Sequence, residues 1–341
     1  MKTMTRRSFA ALSAGAIMAL AGCGGTQSGS DGATQDQLSS SDPAKEPLYT
    51  FRFADVEEGA RLKMENVDYI DGLNQCDLDF RVQKKGATLE EYETLSVSQC
   101  ADFTDKEMAA LTAAMAEMER RIAERGITLP ASEEIIFIKD EMKDELGAAA
   151  YTHGTQIYLS TLFINMLSSD DEQTRTECIR LLAHELFHCL TRSNPDFRAS
   201  MYKIIGFDVQ EEDYDFGPAV REKMISNPDV EHHNSSALFT IDGEQRRCTV
   251  VFYAKQPFEK KGDTFFDLGG TGLVPVDDLN TLYDSEQASD FWEVFGENTD
   301  CVIDPEETMA DNFSFLVADG RDGMEYKTPR IIDEILATLG A

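Results

Sequence analysis

The sequence predicts an α+β fold: a mixed sheet packed on one long amphipathic helix, a mainly helical C-terminal lobe, and a β-rich N-terminal region. Three patterns carry this expectation. Short apolar runs rich in β-branched and aromatic residues, of strand length, occur at 134–139 and 154–160. Longer segments with start and stop signals for helices occur at 104–125 and 170–192. Two more helix starts follow, at Asp304-Pro305 and Arg330. The chain has 341 residues, 42% of them hydrophobic, which is enough for one large or two modest domains with an ample core.

The formal net charge is −32. Such a chain repels nucleic acid and anionic headgroups, so neither is expected as a partner. The acidic surface favours solubility and attracts cations and basic peptides.

The first residues read as a targeting segment. Lys2, Arg6 and Arg7 precede an apolar run from Phe9 to Ala21, too short to span a bilayer as a mature helix. The run ends in Leu20-Ala21-Gly22-Cys23, which resembles a bacterial lipobox and implies a lipid on Cys23. Thr5-Arg6-Arg7-Ser8-Phe9 resembles the twin-arginine export signal. The expectation is a signal peptide over 1–22, a flexible Gly/Ser/Asp-rich tether over 23–47, and a protein held by its lipid on the extracytoplasmic face of a cell membrane. Six further cysteines (Cys76, Cys100, Cys178, Cys189, Cys248 and Cys301) lack CxxC spacing, which disfavours a cysteine-based zinc site. An exported location permits disulfides.

From residue 48 to 100 the text suggests strands, with alternation at 49–53 and aromatic and β-branched character at 78–82. The remainder, 101–341, is expected to hold the functional domain. Its first helix opens on Thr104, with Glu107 completing a capping box, and stops at Gly126. Leu111, Met115, Met118 and Ile122 form its core stripe. Short helices are expected at 161–167 and 197–206, a hairpin turning at Asp242-Gly243, and a helix at 304–317 with Asp304 as cap and Pro305 in its first turn.

The helix over 170–192 contains His184-Glu185-Leu186-Phe187-His188, the pattern H-E-x-x-H. Residues four apart on a helix differ by about 40° around its axis, so both imidazoles can reach one cation. Glu185 lies about 100° from His184, beside the metal and placed to take a proton from water. Ile179, Leu182, Leu186 and Leu190 form the opposite, apolar face. Cys178 and Cys189 share a flank too far apart to pair with each other, and read as core thiols or as disulfide partners of residues outside the helix.

A catalytic zinc keeps three protein ligands and one open position. The extended pattern with a third histidine at 194 is absent, because that residue is Asn194. Downstream, Glu307 and Asp311 form E-x-x-x-D on one helical face. Together with H-E-x-x-H this resembles the gluzincins, the thermolysin-like zinc metallopeptidases. The resemblance covers mainly residues 130–195 and 304–317. It implies a zincin-like sheet, Zn²⁺ held by His184, His188 and Glu307, Glu185 as general base, and Asp311 orienting His184. Glu306 is the runner-up ligand, although its neighbour one turn on is Ala310. The segment Tyr151–Leu159 resembles the strand that lines the cleft in such enzymes and implies binding of a peptide substrate by strand addition. His153, within it, reads as a surface or strand residue.

The family commonly supplies a His or Tyr to the oxyanion. Here His232 and His233 are the candidates, ahead of Tyr253 and Tyr214. The region 210–300 would then be a lid or substrate-binding insertion. A competing reading is a zinc-bound, peptide-binding lipoprotein without turnover; an intact Glu185 argues against it. A solute-binding lipoprotein shares the anchor and acidity but leaves both metal motifs unexplained.

Overall fold

The computed structural model describes residues 48–340. The signal segment, Cys23 and the tether lie outside the described residues. A short strand, β1 (Phe51–Phe53), leads into four helices, α1 (Val56–Glu65), α2 (Val67–Gly72), α3 (Gln75–Val82) and α4 (Leu89–Val97), and then β2 (Cys100–Ala101). The β-rich expectation for 48–100 is thus corrected. Asp55, Asn74 and Thr88 cap α1, α3 and α4, the last two with full capping boxes. Residues 78–82 lie inside α3, because five residues fit either period and buried partners decide between them. Arg81 is wholly buried there against Asp77 (2.9 Å) and Glu145 (3.1 Å).

α5 (Asp105–Glu124) opens on the expected Thr104–Glu107 box, and Gly126 follows it with φ of +65°. Its stripe of Leu111, Met115, Met118 and Ile122 is buried. β3 (Ile135–Asp140), β4 (Ala150–His153) and β5 (Gln156–Ser160) complete a mixed sheet ordered β1-β3-β5-β4, with β2 paired to β3. β1, β3 and β5 are parallel, whereas β4 runs antiparallel to β5 and forms the open edge. β4 was not foreseen as a separate strand; it joins β5 through Gly154, whose φ is +56°.

Three helices follow: α6 (Thr161–Met166), α7 (Glu172–Ser193) and α8 (Pro195–Ile204). α8 begins two residues earlier than expected because Pro195 is suited to the first turn. Next come β6 (Asp208–Val209), α9 (Pro218–Arg221), β7 (Ser235–Ile241), β8 (Glu244–Ala254), α10 (Phe265–Leu268), β9 (Gly269–Pro275) and β10 (Tyr283–Asp284). These strands form an antiparallel sheet ordered β10-β9-β8-β7-β6. Its central hairpin turns at Asp242 and Gly243, both with positive φ, as an Asp-Gly pair requires. The sheet extends well beyond the single expected hairpin. α11 (Phe291–Phe295), α12 (Pro305–Ala318) and α13 (Pro329–Leu339) complete the helical C-terminal region. No helix among the described residues is long and apolar enough to cross a membrane.

α7 packs chiefly on α12, and also touches α5, α8 and β4. Every residue of α12 is buried. Phe187 of α7 meets Phe313 of α12 with ring centroids 5.6 Å apart, both rings fully buried. Phe313→Ala removes that contact and leaves a cavity, so it is expected to cost about 3–5 kcal/mol in urea-induced unfolding. A loss below about 1 kcal/mol would show that the α7–α12 seam repacks freely.

Candidate metal centre

Local sequence sets α7 and α12 in place. Asp171 caps α7 by accepting from Thr174 N (2.8 Å) and Thr174 Oγ1 (2.9 Å). Asp304 caps α12 through Glu306 N (2.8 Å), and Pro305 fills its first turn. With the two helices in contact, the i, i+4 pair of α7 faces the i, i+4 pair of α12.

His184 and His188 present rings 4.7 Å apart, 79° from coplanar. The Nδ1–H of His184 donates to Asp311 Oδ1 at 2.9 Å. The Nδ1–H of His188 donates to Glu306 Oε1, also at 2.9 Å. Each bond occupies Nδ1, orients the ring and turns Nε2 toward the space between the helices. Glu307 Oε2 lies 3.4 Å from His184 Nε2. His184, His188 and Glu307 offer ligand atoms that all lie within 4.8 Å of one another. A tetrahedral zinc with bonds of about 2.0 Å needs ligand atoms about 3.3 Å apart.

His188 Nε2 is buried and, among the described residues, has no hydrogen-bond partner. A buried imidazole acceptor left unpaired is costly, and a cation at this point would satisfy it. Charge points the same way. Glu185, Glu307 and Asp229 converge on this space, where the two imidazoles and, beside Asp229, Arg192 are the neighbouring cationic groups. The cluster is geometrically suited to chelate a divalent metal, and the donor set of two imidazoles and a carboxylate matches the preferences of zinc.

The other polar groups are partnered. Glu306 also accepts from Thr191 Oγ1 (2.6 Å) and from the Tyr202 hydroxyl. Asp311 accepts from Thr299 Oγ1. Glu307 accepts from Asn227 Nδ2 at 2.6 Å, and Cys301 Sγ lies 3.5 Å from its other oxygen. Glu185 accepts from Thr152 Oγ1 of β4 at 2.6 Å.

Burial works against every charge here. For Glu307 it is outweighed by the hydrogen bond and charge of His184, which hold the carboxyl down at about 2. Burial would lower His184, yet Asp311 and Glu307 prevail and keep it well above the usual imidazole range. Glu306 stays below the usual range because the His188 contact overcomes burial. Asp229 is pushed well above it, first by burial and then by Glu185 and Glu307.

The metal cluster opens on a cavity of about 290 Å³. Tyr151, Phe252, Phe265 and Phe315 line it, with Arg81 and Arg180 as cations.

Thus the structure brings His184, Glu185, His188, Glu307 and Asp311 together, and places Glu306 on His188 rather than in the ligand cluster. It does not bring His232 or His233 to the cavity. His232 is largely exposed and bonds Asp213 (3.2 Å). His233 packs on Phe216, where burial lowers it to about 4. Both follow a loop that turns away after Glu231. Tyr253 bonds Asp284 instead, and Tyr214 packs in the Phe216–Val220 cluster. His153 is on β4 but buried, in edge contact with Tyr69 and Tyr151, and burial holds it down at about 3. Cys178 and Cys189 are buried free thiols.

Thr152, Asn227, Asp229 and Cys301 were missed. Asp229 lies in Asn227-Pro228-Asp229, a turn signal that nothing separates from other acidic turns among 63 acidic residues.

Comparison with protein families, with curated proteins and with solved structures finds no match to this chain. The site therefore speaks through its own geometry, which is that of a zincin-type metal site: H-E-x-x-H on a buried helix with a distal carboxylate.

His188→Ala should abolish stoichiometric zinc binding, as read by elemental analysis. Glu306→Gln should keep zinc but weaken it about 10–100-fold in competition with a chromophoric chelator. Unchanged affinity would mean that Glu306 does not steady His188.

Proposed function

We propose that this protein is a zinc metallopeptidase of gluzincin type that hydrolyses peptide bonds, tethered through lipid on Cys23 at the extracytoplasmic face of a membrane. One observation carries the catalytic part: two carboxylate-steadied imidazoles and Glu307 converge on one point, with Glu185 beside it. The gluzincin assignment draws support from the E-x-x-x-D pair, in which Glu307 joins the cluster while Asp311 holds His184 from behind.

Zinc bound there would polarise a scissile carbonyl and make water acidic enough to ionise near neutral pH. Glu185 accepts the proton of the attacking water and returns it to the leaving amine. Thr152 Oγ1 holds the Glu185 carboxylate in position by its 2.6 Å bond. β4, the sheet edge, offers backbone groups to an extended peptide, and the aromatic wall of the cavity receives an apolar side chain. The tether rests on the N-terminal lipobox resemblance.

Glu185→Gln should retain zinc and lower peptide-library cleavage by about 10²–10⁴-fold. Hydrolysis equal to that of the parent protein would rule out this base. Cys23→Ala should move the protein from the membrane fraction to the soluble fraction and abolish labelling by a clickable fatty acid. Persistent labelling would place the lipid elsewhere.

A second reading, a zinc-bound peptide-binding lipoprotein without turnover, has one observation in its favour. Asp229 Oδ1 lies 3.9 Å from His188 Nε2, where a catalytic site would keep an opening.

A further inference from the structure

The segment Ser226–Glu231 crosses the mouth of the metal cluster and is bonded to every element that forms it. Asn227 Nδ2 donates to Glu307 (2.6 Å). Arg192, in the last turn of α7, reaches Glu231 Oε1 through Nε at 2.9 Å. Upstream, Ser226 is fixed by Asp77 (2.8 Å to its N–H) and by Arg81 (2.6 Å to its carbonyl).

Two contacts decide what the segment does. Thr152 N donates to Asp229 Oδ1 at 2.6 Å, and Gly154 N donates to Glu231 Oε1 at 2.5 Å. Donors two residues apart share one side of a strand, and β4 is the edge of its sheet. These are the N–H groups that an added peptide strand would use, and two carboxylates of the chain itself hold them. The same Asp229 is buried, 3.9 Å from the unpartnered Nε2 of His188, and groups with Glu185 and His188 as a second set of close ligand atoms.

We propose that Asp229 stands over the open coordination position of the metal, on a segment that also covers the substrate edge of β4, so that the described form is self-inhibited. This rests on the metallopeptidase reading above. A catalytic site keeps one position open for water, and a carboxylate standing there excludes it. The segment has no regular secondary structure; Pro228 and Asp229 are buried at its centre, whereas Val230 is half-buried and Glu231 exposed, so its hold depends on the side-chain bonds named above. Swinging out about Ser226 would free Thr152 N, Gly154 N and the coordination position together. A peptide that pairs with β4 competes for the same donors, so extended substrates displace the segment in proportion to their affinity.

The test uses the full chain loaded with zinc and acetohydroxamate, a small bidentate anion that needs an open coordination position. Asp229→Asn preserves the shape of the side chain and its bond from Thr152 N, while removing the charge that competes with an incoming anion for the open position. Its acetohydroxamate affinity, read by calorimetry, should exceed that of the parent by at least about tenfold, since the closed form no longer competes. Glu231→Gln, which loosens the segment from Arg192 without touching the cluster, should give a smaller gain of the same sign. The cobalt-substituted parent and Asp229→Asn should also differ in visible absorption. Equal affinity and equal spectra, with metal bound in both proteins and matching melting curves, would overturn the proposal and leave the zinc site standing. A parent that binds no metal would overturn both.

Discussion

Two hydrogen bonds between α7 and α12 govern the rest. Each joins the Nδ1–H of an imidazole to a buried carboxylate, at 2.9 Å in both cases. Without them the rings would spin about χ2 and either nitrogen could carry the proton. With them, both Nε2 atoms face one point in a defined tautomer. The bonds also explain α12 itself. A helix buried on all sides would normally be apolar, yet this one carries Glu306, Glu307, Asp311 and Asn312. Each has partners: Glu306 with His188, Thr191 and Tyr202, Glu307 with Asn227, Asp311 with Thr299 and His184, and Asn312 with Asn298. Buried polar groups of this kind are tolerable only when satisfied.

The network gathers several carboxylates at its centre, and other buried carboxylates of the fold are met by a different device. Lys63 sits buried between Asp140 and Asp144, at 2.7 Å from each. Arg81 is buried between Asp77 and Glu145. In those places the chain supplies its own cation. Among the described residues Glu307 pairs with His184 and with no lysine or arginine. The contrast is what separates an internal ion pair from a place made for a metal.

Much of this was legible in the sequence because it is local. H-E-x-x-H and E-x-x-x-D each place two groups one helical turn apart, and helix geometry does the rest. The runner-up Glu306 was weighed as a ligand and turned out to steady one, since a position one residue from Glu307 faces the other histidine. The failures share a cause. Leu78–Val82 was too short for its period to be decided, and capping residues made it a helix. β9 begins Gly-Gly-Thr-Gly, which hides a strand whose neighbours, not its side chains, define it. Thr152 and Asp229 meet Glu185 and His188 only through tertiary contact, and nothing in their local text marks them. His232 and His233 were drawn in by residue type alone.

The two halves of the centre are far apart along the chain: 127 residues separate His184 from Asp311, and 118 separate His188 from Glu306. During synthesis the histidine helix emerges long before the acids that steady it. In a nascent or C-terminally clipped chain nothing fixes the tautomer of either histidine, and a bare imidazole pair binds copper more tightly than zinc. Discrimination begins only when the closing helices dock. Where the last forty residues come to rest therefore fixes where this cluster of ligand atoms first forms.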